Sequence, residues 1–217
     1  MSVTMEQETI DALAARGIVA VMRAPRAEQV VTAARALADG GVTAIEVTYT
    51  VPGAAEAIAA LASDPRLLVG AGTIETAAQA REAVAAGARY LVSPHRCDDA
   101  IAVAQEAGLP AIPGVYTPTE VAEAARRCRL LKLFPASVGG IELLKALRAP
   151  FPALAFMPSG GVTAANLGDW LAAGAVAVGA GGDLVPADAI ERGDTAELTR
   201  RAREWSAALT SARAAGA

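Results

Sequence analysis

Two side chains in this sequence stand where they could do covalent chemistry. Lys132 sits in the middle of Leu130-Leu131-Lys132-Leu133-Phe134-Pro135, an apolar run that otherwise reads as a buried parallel strand. Burying a lone charge is expensive, so such a lysine releases its proton, finds a partner or reaches a cavity. The chain has two lysines, Lys132 and Lys145, so nearly all its positive charge is arginine. Lysine, unlike arginine, becomes a neutral amine nucleophile near neutral pH when it is desolvated. The bland alternative is a lysine that snorkels out of a strand end. Glu46 occupies a similar apolar run, Ala44-Ile45-Glu46-Val47-Thr48, and Arg23 closes a third, Ile18–Arg23.

A second pattern is a pair of glycine-rich segments, Pro158-Ser159-Gly160-Gly161-Val162 and Gly179-Ala180-Gly181-Gly182-Asp183-Leu184. Glycines at strand ends leave backbone N–H groups open to an anion, and a following helix N-terminus adds a favourable dipole. Tight turning of the chain would explain glycines equally well at any one place. Two doublets on the last two strand candidates favour phosphate binding. Asp183 opposes it, because a carboxylate beside a phosphate repels it unless the side chain points away.

The elements that must position these groups alternate regularly. Strand candidates are Ile18–Arg23, Ala44–Thr48, Leu67–Gly70, Tyr90–Ser93, Ala111–Pro113, Leu130–Phe134, Leu154–Met157 and Ala175–Val178. Between them lie amphipathic helix candidates: Ala27–Ala38, Ala54–Ala62, Thr76–Ala86, Asp98–Ala107, Thr119–Arg127, Ile141–Leu147 and Ala164–Ala173. A short helix, Glu6–Ala15, precedes them, and a long one, about Ala196–Ala214, follows. Eight strand–helix units predict a closed parallel (β/α)8 TIM barrel forming a single domain over residues 1–217. An open doubly wound sheet is the alternative; it lacks its GxGxxG turn, since Met22-Arg23-Ala24-Pro25 follows the first strand. A side-chain period of two then turns Arg23, Glu46, Thr73 and Lys132 into one barrel mouth, where such folds carry their chemistry.

Composition removes other classes. With 217 residues, 53% of them hydrophobic, the chain can bury a substantial core. A net charge of −4 with no basic stripe argues against nucleic-acid binding. No apolar run is long enough for a bilayer, and Met1–Arg16 lacks a secretory pattern, so a soluble cytoplasmic protein is expected. Cys97 and Cys128 have no metal or redox spacing and read as free thiols. His95, the single histidine, excludes a two-histidine zinc site and reads as a loop residue. Trp170 and Trp205 read as helix-packing residues.

The motifs, in order, are Glu46-Val47-Thr48, Gly70-Ala71-Gly72-Thr73, Ser93-Pro94, Ile112-Pro113-Gly114, Leu131-Lys132-Leu133-Phe134-Pro135 and Pro158-Ser159-Gly160-Gly161. This series resembles that of 2-keto-3-deoxy-6-phosphogluconate (KDPG) aldolases, many of them also active on 4-hydroxy-2-oxoglutarate (KHG), over roughly Ile18–Leu184. The resemblance implies a class I aldolase in which Lys132 forms a Schiff base with the 2-keto carbon and Glu46 is the general acid/base. It implies that Thr73 and Arg23 hold the keto-acid carboxylate and that Phe134 and Pro94 wall the pyruvate pocket. Ser159 and the backbone of Gly160, Gly161, Gly181 and Gly182 would bind the phosphate. The substrates implied are pyruvate, glyceraldehyde 3-phosphate and their condensation product, with no metal or organic cofactor, and members are commonly homotrimers. Three positions depart from the family pattern. Tyr49-Thr50-Val51-Pro52 has no arginine after the second strand, His95 replaces the glycine of a Ser-Pro-Gly motif, and Asp183 stands where a small hydroxyl residue is common. A phosphosugar isomerase or epimerase using Glu46 as base, and a non-catalytic phosphometabolite-binding barrel, remain the alternatives.

Overall fold

The computed structural model describes residues 4–216. Helix α1 (Met5–Arg16) leads into β1 (Ile18–Met22), α2 (Ala27–Asp39), β2 (Ala44–Thr48), α3 (Ala54–Ala62), β3 (Leu68–Gly72) and α4 (Ala77–Ala85). Then follow β4 (Leu91–Val92), α5 (Asp98–Glu106), β5 (Ala111–Ile112), β6 (Gly114–Val115), α6 (Pro118–Ala124) and β7 (Leu130–Leu133). The chain ends with α7 (Gly140–Arg148), β8 (Ala155–Pro158), α8 (Leu167–Ala172), β9 (Val178–Ala180), α9 (Ala187–Arg192) and α10 (Thr195–Gly216). Local chemistry sets several starts. Thr76 with Gln79 and Thr117 with Glu120 form reciprocal capping boxes at α4 and α6, and Pro118 fills the first turn of α6.

This is an α/β fold of parallel strands. The pairing is divided into a six-stranded sheet, in the order β5-β4-β3-β2-β1-β9, and a three-stranded sheet, β6-β7-β8, rather than the single closed ring expected from sequence. The division falls at Pro113, which has no N–H to donate and separates β5, inside the fifth strand candidate, from β6, which lies just beyond it. The two sheets still face each other across shared chain. Val92 pairs with Ile112 on one side of Pro113, Gly114 pairs with Lys132 on the other, and an isolated parallel bridge joins Ser159 to Gly179.

Nearly every strand residue is buried, as expected where helices cover one face and other strands the opposite one. Alternate residues sort into two apolar clusters. Val19, Ala44, Leu68, Val92, Ile112, Leu130 and Met157, drawn from both sheets, meet in an inner cluster with Ile10 and Leu13 of α1. Ile45, Val47, Leu131 and Leu133 belong to the outer cluster against the helices. This is the parity that sends Glu46 and Lys132 inward. The last strand lies at Val178–Ala180, displaced along the chain from the expected Ala175–Val178, and α9 is additional. At six residues α9 is too short to show a helical period in sequence. No helix among the described residues is long and apolar enough to cross a membrane.

Candidate active site

Lys132 and Glu46 reach each other from β7 and β2. Lys132 Nζ lies 3.7 Å from Glu46 Oε1, with Lys132 4% and Glu46 0% exposed. That separation exceeds a hydrogen bond, and among the described residues neither Glu46 oxygen has a hydrogen-bond partner. A buried carboxylate left this way is a poor stabilising element, since its desolvation is not repaid by the hydrogen bonds a structural ion pair would make. Such unsatisfied groups are the ones that call for a catalytic explanation.

The seat of Glu46 is made by β3. Gly72 has no positive φ, so no backbone conformation requires glycine there. A Cβ on it would land on the Glu46 carboxylate, 2.6 Å from Cγ and 2.7 Å from Cδ. Two residues earlier, a Cβ on Gly70 would run into the Tyr90 ring. Tyr90 is fully buried and donates its O–H to the Ile45 carbonyl at 2.7 Å. Burial, and secondarily the Glu46 charge, push its phenol well above the ordinary range, so it stays protonated. Glycines at alternate positions of a strand are the sequence signal of such close approach; Gly72 was legible as part of a motif but not as the seat of Glu46.

Lys132 opens on its other side to a cavity of about 270 Å³. Arg23, Phe134, Ser159, Gly160, Gly161, Gly181 and Gly182 line it with Lys132. Phe134 forms a wall, its ring centroid 5.1 Å from Lys132 Nζ. Gly160 and Gly161 have φ of 93° and 78° at the end of β8, a left-handed conformation that glycine adopts without strain. Among the described residues, the amides of Gly160, Gly161, Gly181 and Gly182 have no hydrogen-bond acceptor. Open amides beside an arginine and a lysine suit an anion.

The remaining predicted residues stand at the edge. Thr73, directly after β3, has the one positive φ among non-glycine residues described, 56°. That costs local strain of the kind retained near functional sites. Pro94 follows β4 and presents its backbone to Gly114, the register partner of Lys132; neither it nor Thr73 lines the cavity. His95 is exposed, with Nδ1 2.9 Å from the Arg96 carbonyl. Cys97 and Cys128 are buried free thiols, and burial lifts the Cys128 thiol to about 11. Asp183 lines the cavity, yet its Oδ2 accepts the Trp205 indole N–H at 3.0 Å and the Ala164 amide at 3.3 Å. No sequence signal linked Asp183 to Trp205.

With an inward lysine–glutamate pair beside a glycine-lined cavity, comparison with known proteins decides between the candidate families. The family model described as "Aldolase: KDPG and KHG aldolase" matches residues 10–201. The chain belongs to the KDPG and KHG aldolase family. It is 38% identical over 190 residues to the KHG/KDPG aldolase of Escherichia coli, covering 86% of this chain and 89% of that one. Among solved structures, the KDPG aldolase of Legionella pneumophila, with pyruvate captured as a covalent carbinolamine, superposes with a TM-score of 0.83. It is 33% identical, covering 90% of this chain and 96% of the other. The Zymomonas mobilis KDPG aldolase with 3-phosphoglycerate gives a TM-score of 0.83 at 30% identity, covering 91% and 95%. The family match spans both sheets, with the strands that carry Glu46 and Lys132 and the loops that carry the glycine doublets.

Proposed function

We propose that this chain is a class I aldolase that reversibly cleaves KDPG to pyruvate and glyceraldehyde 3-phosphate, with KHG or the galactonate epimer as further substrates. The observation that carries the reading is the buried Lys132 and Glu46 pair, 3.7 Å apart, with the carboxylate otherwise unpartnered and the amine at the wall of a cavity. An epimerase using Glu46 as base would keep Lys132 only as an electrostatic anchor, a role that asks nothing of an amine at the cavity wall.

In this reading the neutral amine of Lys132 attacks the 2-keto carbon, and the keto oxygen takes a proton to give a carbinolamine. Loss of water leaves a protonated imine. Glu46, directly or through one water, removes the proton of the C4 hydroxyl. The C3–C4 bonding pair then moves into the imine, releasing the aldehyde and leaving an enamine. Protonation of the enamine at C3 and hydrolysis of the imine return pyruvate and free Lys132. Arg23 and Thr73 hold the substrate carboxylate, Phe134 and Pro94 bound the pyruvyl end, and Ser159 with the four glycines receives the phosphate. An arginine fork matches a planar carboxylate at two points, and open amides match a phosphate.

The inner cluster fed by both sheets and the Ser159–Gly179 bridge support a closed (β/α)8 arrangement, a single domain over residues 1–217. A homotrimeric assembly and a cytoplasmic location complete the proposal. The test is intact mass after incubation with pyruvate and borohydride. A reduced pyruvyl adduct on the wild-type protein and none on Lys132→Ala is expected; no adduct on folded wild-type protein would remove the imine mechanism.

A further inference from the structure

We propose that Asp183 and Trp205 are positioning residues that hold the two glycine loops together as one phosphate cradle. The inference rests on the aldolase reading above and concerns the phosphate end of the same site. The loop after β9 supplies Gly181 and Gly182, and the loop after β8 supplies Gly160 and Gly161. No strand pairing joins these loops beyond the single Ser159–Gly179 bridge. Asp183 Oδ2 spans the gap. It accepts the Ala164 amide of the first loop at 3.3 Å and the indole N–H of Trp205, on α10, at 3.0 Å.

Trp205 is 1% exposed and packed in the outer core, so its indole is a fixed anchor. Arg201, one turn earlier on α10, donates to the Asp183 carbonyl at 2.7 Å and is itself held by Glu197 at 2.7 Å. The second loop is thus fastened to α10 through both its backbone and its side chain. The same contacts engage the carboxylate with two donors. That addresses the repulsion the sequence raises, because an Oδ2 bound to a buried indole is directed at the helix layer while the Gly181 and Gly182 amides keep no acceptor. Trp205 lies beyond residues 10–201, the span of the family match, and 22 positions from Asp183.

The experiment compares KM for KDPG and for unphosphorylated KHG in the wild type, Asp183→Ala, Asp183→Asn and Trp205→Phe, with pyruvate–borohydride trapping on each. Loss of the strut raises the KM ratio of KDPG to KHG roughly fivefold to tenfold in Asp183→Ala and Trp205→Phe, the net worth of about one ordinary hydrogen bond. Asp183→Asn keeps an acceptor oxygen and stays within twofold of wild type. Inorganic phosphate inhibits Asp183→Ala correspondingly less. Asp183 is at the surface, so its variants report even if Trp205→Phe fails to fold. An unchanged ratio in folded Asp183→Ala, or an Asp183→Asn ratio that falls because a repelling charge has gone, overturns the strut. Absence of the trapped adduct in the wild type would instead overturn the aldolase reading.

Discussion

Replacing Gly72 by alanine tests the seat of Glu46 while leaving Lys132 and Glu46 themselves unaltered. The added Cβ would stand 2.6 Å from Glu46 Cγ, against the 3.4 Å at which ordinary contact begins, a shortfall of about 0.8 Å. The backbone at Gly72 pairs in register with Thr48, so the strand cannot easily retreat. Glu46 must therefore swing aside by about 1 Å, and a displacement of that size can cost on the order of 100-fold in rate. The assay is pyruvate release from KDPG coupled to lactate dehydrogenase, alongside exchange of the pyruvate methyl protons with deuterium. Both rates are expected to fall roughly 100-fold. The equilibrium yield of borohydride-trapped pyruvyl adduct should persist, because Lys132 is not displaced. A folded Gly72→Ala protein retaining kcat within threefold would refute the reasoning, as would a variant that loses the adduct and keeps methyl exchange.

Two further outcomes follow from the charges and thiols. Hydrogen bonds from Arg200 and Arg201 hold the Glu197 carboxyl down to about 2, from an ordinary 4.5. A depressed folded value means the stabilisation is present above about 4.5 and disappears as pH falls towards 2. The decline of Tm between pH 5 and pH 2 should therefore be shallower in Glu197→Gln than in the wild type; parallel curves would contradict it. Cys128, its thiol lifted to about 11 by burial, should resist iodoacetamide at pH 7.5 in the folded protein and react promptly in urea, as read by mass.

Much of the fold was present in local pattern. Short apolar runs between amphipathic helices mark βα units because a parallel strand is covered on both faces, whereas the Thr117 cap starts α6 just ahead of the Thr119 expected from sequence. Period-two alternation groups Glu46 and Lys132 on the strand faces opposite Ile45, Val47, Leu131 and Leu133, and the packing of those residues against the helices leaves the interior to the pair. The break at Pro113 was legible as a proline, yet its division of the pairing into two sheets depends on which neighbours surround it. Tertiary structure alone decided contacts between residues distant in sequence. The seat that Gly72 makes for Glu46 arises from packing β3 beside β2, and the Asp183–Trp205 bond from laying α10 against the loop after β9. Local sequence determines which face a side chain takes; distance and hydrogen-bond partner follow only when separate elements are brought within a few ångströms of one another.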